Sequence, residues 1–293
     1  MGAVAKKTST EVAEATEWGE YAGVGSEDTS ASDYSIPFIN LLQSGSPQVE
    51  DELPGFKAGL YHNTVTDELY ESFVFQPCVQ LHKVVEWKPR GEGGGGGKGF
   101  VAVHELSSEV YKDALTANGG SPYGKLKNPQ NGNDLIETYY LYGYILNEEG
   151  TESVGFAVVA FSSTKIKSLK NFNTSVDMIK GRPPKFAHRM KFTSTKEKNT
   201  EGQSYYTTHI SPFKENWKAS MLNPAEHKSL LDDGMGFREL VLSGQASADY
   251  EKQSETGQSG SGASGTDSGE ARLTCVNSLM PKLKQWKRSY PSV

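Results

Sequence analysis

The chain has 293 residues, a formal charge of −6 and an apolar fraction of only 35%, with 31 glycines, so a moderate core with long flexible segments is expected and one compact 293-residue body is not. Two cysteines, Cys78 and Cys275, are too few for a disulfide framework and fit a reducing cytoplasm. No apolar run approaches a membrane span and the N-terminus lacks the apolar core of a signal peptide, so the expectation is a soluble cytoplasmic protein without a membrane partner.

Residues 1–33 are small, polar and acidic; Glu11, Glu14, Glu17 and Glu20 recur at helical spacing with little apolar surface beside them, which predicts a disordered or loosely helical arm. Folded structure is expected from Tyr34, and a nucleic-acid-binding domain over 34–250. Turn-rich residues 43–59 lead into the first strands. Alternation and aromatic or β-branched content predict strands at Leu60–Val65, Leu69–Gln76, Cys78–Trp87, Phe100–Glu105, Ile136–Asn147, Val154–Ser162, Ala187–Thr195 and Gln203–Ile210. Val154–Phe161 is apolar on both faces and reads as a central strand.

One helix interrupts the series at Thr164–Ile179, capped by Ser163 or Thr164, with Ile166, Leu169, Phe172, Val176 and Ile179 in one apolar stripe and Lys165, Lys167 and Lys170 mostly off it. A second helix is expected over Pro224–Gly244, weakened in its middle by Gly234 and Gly236. Residues 251–271 read as a flexible Gly/Ser linker and 272–293 as a basic, aromatic tail. The fold class is mainly β with minor α. Its element order suits an OB-like five-stranded β-barrel elaborated by extra N-terminal strands, with one helix between strands three and four.

Charge is segregated along this chain. Lys165–Lys218 holds ten Lys and two Arg against four acidic residues, a local charge of +8 inside an acidic protein. Aromatic residues are interleaved there, and cations with aromatic faces are what a single-stranded nucleic acid needs: charges for its phosphates, rings for its unpaired bases. In the hairpin, Met190, Phe192 and Ile210 are assigned to the core, so Arg189, Lys191, Tyr205 and His209 are expected to line an exposed groove. Lys185 and Lys196 would add phosphate contacts. Trp87, Lys88, Arg90, Lys98 and Phe100 flank the glycine run 93–97 and would form the groove's second wall. Alternation puts Tyr140, Tyr142 and Tyr144 on one face of a tyrosine-rich strand, and Tyr142 is the candidate base-stacking residue there.

Enzyme signatures are missing. The glycine run fails as a phosphate-binding loop, because the required first glycine falls on Glu92 and Gly99 stands where a hydroxyl should hold magnesium. Cys78, His82 and His104 do not make the paired ligand set of a structural zinc site. No catalytic residues, metal or cofactor are therefore expected, and the reading is a non-enzymatic single-stranded DNA-binding protein. The rival readings are an interaction or virion structural protein and a metal-dependent nuclease or recombination enzyme.

A resemblance adds to this. Ile36-Pro-Phe-Ile-Asn-Leu-Leu-Gln, Ser46-Pro-Gln-Val, Pro54-Gly-Phe-Lys-Ala-Gly, His62-Asn-Thr-Val-Thr, Val85-Glu-Trp-Lys-Pro-Arg and Phe100-Val-Ala-Val-His, with Pro184-Lys-Phe to Ser204-Tyr-Tyr later, resemble a pattern of early proteins of tailed bacteriophages. The resemblance implies single-stranded DNA binding during phage replication or recombination on an OB-like fold, in the host cytoplasm, with phage replication or recombination proteins as partners and oligomers allowed. Many replication single-strand binders end in an acidic tail; this chain ends in Lys284-Gln-Trp-Lys-Arg, so recruitment through such a tail is not implied.

Overall fold

The computed structural model describes residues 24–26, 28–29, 33–89, 99–122, 126–198, 202 and 204–253. The chain divides into two units, Ser35–Ser268 and Met1–Tyr34 with Gly269–Val293; the architecture below belongs to the first. Its elements are β1 (Ile39–Leu41), α1 (Pro47–Glu50), β2 (Tyr61–Asn63), β3 (Leu69–Tyr70), β4 (Ser72–Trp87), β5 (Phe100–Glu105), α2 (Glu109–Ala117), β6 (Leu126–Lys127), β7 (Asp134–Leu146), β8 (Ser153–Ser162), α3 (Ile166–Asp177), β9 (Met190–Lys198), β10 (Ser204–Pro212) and α4 (Lys228–Leu242).

β4 is the spine. Two strands are expected around Pro77, because proline offers the ladder no donor. Instead one strand of 16 residues runs through it. A register shift between Pro77 and Val79 absorbs the missing bond as a bulge. β7 follows one edge of β4 from Val74 to Trp87. On the other edge β9 pairs with Ser72–Phe75, and β5 pairs with Lys83–Trp87. β10 extends β9, and β8 and β6 lie on the far edge of β7, so the antiparallel order is β10-β9-β4-β7-β8, with β5 and β6 as additions. β1, β2 and β3 form a separate three-stranded sheet.

Both faces of the large sheet are covered. One face packs Phe73, Phe75, Leu141, Ile145, Val159, Phe161, Met190, Phe192 and Ile210 against Ile39, Leu41, Tyr61 and the Leu169–Phe172–Val176 stripe of α3. Burying those three α3 side chains is worth roughly 1.5–3 kcal/mol each. The opposite face places Val74, Tyr140, Tyr142, Tyr144 and Val158 under Ile36, Phe38 and the Leu230, Phe237 and Val241 side of α4. A third, smaller core joins α2 to the sheet through Tyr111, Ala114, Val84, Leu126 and Leu135.

β8 is apolar on both faces because both cores reach it, not because it is central. Among the described residues its only ladder is with β7, and a single parallel bridge joins Val158 to Phe38. Among the described residues no ladder joins β8 to β10, so the sheet stays open; β1 and α3 each contact both end strands and span the gap. Three outward backbone groups of β10 are met by side chains. Gln43 donates to the Tyr206 carbonyl at 2.9 Å and accepts from its N–H at 2.8 Å, while Ser168 donates to the Thr208 carbonyl at 2.6 Å.

Three local expectations need correction. No side chain caps α3; a 3-10 turn, Ser163–Lys165, precedes it. Lys165 is buried, and burial pushes its pKa down to about 8. Gly234 is no weak point of α4 but a point of close approach to the sheet, where a Cβ would stand 3.0 Å from Gln76 Nε2 and 3.5 Å from Cys78 Sγ. That amide donates to the carbonyls of Phe186 and Leu230 and docks the helix.

The β4–β7 crossing allows one residue opposite Pro77. A Cβ on Gly143 would lie 2.0 Å from the Gln76 carbonyl oxygen and 2.7 Å from the Phe75 ring. Gly143→Ala should therefore cost about 3 kcal/mol or more, read as a lowered urea midpoint. An unchanged midpoint would show that the crossing tolerates a side chain.

Candidate functional site

β4 reaches β9 only as far as Thr193, so Ser194–Lys198 and Ser204–Thr208 continue as a two-stranded ribbon beyond the sheet. Its register decides which side chains share a face: Lys191 with Ser211, Thr193 with His209, Thr195 with Thr207, and Glu197 with Tyr205. Met190, Phe192 and Ile210 are buried on the other face, as expected. Lys191 and His209 are exposed and Tyr205 is half-buried. The Tyr205 hydroxyl donates to Glu197 Oε2 at 2.9 Å, and that bond raises the phenol's pKa.

Lys196 lies on the opposite side of the ribbon, exposed, its Nζ 5.9 Å from the centre of the Tyr206 ring. Lys185 is half-buried in the 3-10 turn Lys185–Ala187. Among the described residues, none of Lys185, Lys191, Lys196 and Lys198 forms an ion pair. Their charge is left for solvent or a ligand.

Arg189 does not join them. It precedes the first residue of β9, so strand alternation does not govern it, and it is 3% exposed. Its guanidinium donates to the carbonyls of Gly150 at 2.9 Å, Met221 at 3.3 Å and Ser220 at 3.4 Å, and stacks 5.1 Å over Phe213. Burial lowers its pKa while the charge of Glu226 opposes the shift. Arg189 is a staple for two loops.

The second wall is also displaced. Trp87 is buried in the α4-side core, as its alternation with Val79, Leu81 and Val85 implies, and Phe100 is half-buried, 6.0 Å away and nearly perpendicular to it. Lys88 is exposed, while Arg90, Lys98 and the glycine run lie outside the described residues. This end of β4 pairs with β5, whereas the ribbon's strand pairs with the opposite end. On the order of 40 Å of strand separates them at 3.3 Å per residue. They are not facing walls of one narrow groove. Tyr142 is 1% exposed, covered from above, and is not an open platform.

Two polar clusters escaped the sequence reading. Glu86 is 3% exposed, yet its carboxylate accepts from Asn128, Asn131 and Asn133 at 3.1, 2.7 and 2.6 Å and pairs with His104 Nε2 at 2.7 Å. Burial pushes its pKa up, but the four hydrogen bonds outweigh burial and hold it below the ordinary carboxylate value. The run Asn128-Pro-Gln-Asn-Gly-Asn is the signal, a turn sequence whose side-chain amides need one buried acceptor. Nearby, His82 stacks on Tyr139 at 3.9 Å and faces Glu137 at 3.4 Å, and Glu137 also accepts from Tyr111. Among the described residues no group of three His, Cys, Asp or Glu is placed to hold a metal ion, and no helix is long and apolar enough to cross a membrane.

Fold and surface together define the class: a mainly β protein whose open antiparallel sheet carries a lysine-bearing ribbon at one edge. A family model described as Pam3 phage gp34-like protein matches residues 5–246, and the chain belongs to that family of phage proteins. No curated protein and no solved structure matches it.

Arg189→Ala should cost about 3 kcal/mol, since it leaves the Gly150 and Met221 carbonyls without their donor, while Lys191→Ala should leave the urea midpoint unchanged; the reverse order would overturn both placements. Glu86→Gln should destabilise the protein at neutral pH by about 1–3 kcal/mol. Because the folded pKa of Glu86 is depressed, its contribution is present above the unfolded value, about 4.3, and is lost as pH falls through the folded value. The stability gap between wild type and Glu86→Gln should therefore narrow below about pH 4.3. A gap constant down to pH 2 would sink this assignment.

Proposed function

We propose that the protein binds single-stranded DNA with little sequence specificity, protects it during phage DNA replication or recombination, and does so without catalysis. The observation that carries this reading is the β9–β10 hairpin: Lys191, His209 and Tyr205 share one outward face, and Lys196 and Lys198 extend the charge with no ion pair among the described residues. Cations hold a phosphate backbone whatever its sequence, and a tyrosine ring stacks on any base. Threonine hydroxyls at 193, 195 and 207 add neutral hydrogen-bonding groups between them.

Topology supports an OB-like barrel as the scaffold. With β4, β7, β8, β9 and β10 taken as strands one to five, α3 falls between strands three and four, and the bulged first strand pairs with both the second and the fourth. In that scheme the ribbon is the strand four–five hairpin, and the glycine run belongs to the connection between strands one and two. Those two loops are where OB folds hold oligonucleotides. Lys88 and Phe100 then contribute at the far end of a longer path, and replication or recombination proteins are the natural partners.

Three lysines neutralising three phosphates give a log–log salt slope of about −2 for a single strand. Titration of labelled oligo-dT should show it, and Lys191→Ala with Lys196→Ala should reduce the slope by about 1.4 with no change in folding stability. Duplex DNA should bind more weakly, having no free bases to stack. A salt-independent response, or no binding at low salt, would end the proposal.

A further inference from the structure

The β7 tyrosines are aligned as a base platform would be, and they are covered by the chain itself. Tyr140 and Tyr142 are 0% and 1% exposed. Over them lies the last described turn, which can be followed contact by contact. The Tyr142 and Tyr250 hydroxyls meet at 2.9 Å, and the Tyr140 hydroxyl donates to Gln253 Oε1 at 2.6 Å. The Tyr250 ring stands edge-on to Tyr140 at 5.2 Å and tilts against Phe38 at 6.2 Å. Asn40 Nδ2 donates to the Lys252 carbonyl at 2.9 Å, and the Ile36 N–H donates to the Ser247 carbonyl at 3.2 Å.

The fastening is mostly by side chains. Backbone pairing is a single isolated bridge, Ile36 with Ala248, followed by one 3-10 turn, Tyr250–Lys252. The cover is also imperfect, since Gln253 Nε2 is buried without a hydrogen-bond partner among the described residues. A buried donor left unmet costs about 1–3 kcal/mol. An aromatic ring, a hydroxyl and an amide are the groups the cover presents to Tyr140 and Tyr142. An unpaired pyrimidine offers equivalent chemistry, a flat ring with carbonyl and N–H edges. The site lies on the ribbon's side of the sheet: Val74, which packs in the same core as Tyr142, is register partner to Lys191.

We propose that the Tyr140–Tyr142 face is a second site for unpaired bases and that Tyr250–Gln253 is its intramolecular occupant, displaced when a single strand binds. This rests on the single-strand reading above. A site closed most of the time lowers apparent affinity by the fraction open, so weakening the cover should tighten binding.

The test uses the full chain and labelled oligo-dT at one fixed low salt concentration. Tyr250→Ala combined with Gln253→Ala should bind roughly tenfold tighter than wild type. In wild type, the amides of Lys252 and Gln253, which donate to the carbonyls of Asp249 and Tyr250, should exchange hydrogen faster when the protein is saturated with oligo-dT. The exchange measurement needs no substitution and decides the matter alone if the variant misfolds. Binding by the variant only would overturn the proposal, since in the wild-type chain no strand then displaces the cover. Wild-type binding with unchanged exchange and no gain in the variant overturns the displacement while leaving the ribbon reading intact. No binding by either chain overturns both.

Discussion

The structure depends on one crossing, where β4 carries its hydrogen bonding past Pro77. A proline inside a ladder ordinarily ends it. Here the strand slips register by a residue, and the partner strand approaches so closely that only a glycine, Gly143, fits opposite. Because β4 continues, its first part can pair with β9 while its second part pairs with β5, and β7 can run beside both. Were it two strands, the β4–β9 and β4–β5 pairings would be joined only through β7. The bulge is a local irregularity that makes a single scaffold.

Around this spine, charge is put to structural work as well as surface work. Arg189 gives its guanidinium to three loop carbonyls, and Glu86 gives its carboxylate to three asparagine amides and a histidine. Arg189 forms no salt bridge among the described residues, and Glu86 meets one histidine beside its three amides. Each is a buried ion neutralised mainly by dipoles, which suits loops that lack secondary structure of their own. The lysines of the ribbon are the contrasting case, exposed and without an ion pair among the described residues, and this contrast separates framework cations from those available to a ligand.

Much of this was legible in the residues. Phe100–Glu105 has the predicted bounds, and the Leu169–Phe172–Val176 stripe faces the core because helical spacing leaves it no other choice. Alternation placed Tyr140, Tyr142 and Tyr144 together and sent Phe192 and Ile210 inward. What alternation cannot say is what covers a face: Tyr142 is closed by Tyr250, 108 residues away. Nor does it hold past a strand's end, which is why Arg189 was misplaced. The helix α2 went unseen because it is short and buries only Tyr111 and Ala114, although Ser108 caps it by accepting from the Tyr111 N–H. The signal was a cap and not a stripe.

The treatment of β10 has a consequence for how copies of the protein meet. An exposed edge strand invites a neighbour's strand to add to the sheet, and such growth has no natural end. Gln43 occupies both backbone groups of Tyr206, and Ser168 the carbonyl of Thr208, from within the same chain. Along that stretch a second copy finds three of the backbone groups it would need already taken. Crowding along a shared ligand would then bring molecules together through side chains, contacts that salt or competing solutes can dissolve, and the protein can be concentrated without seeding a fibre.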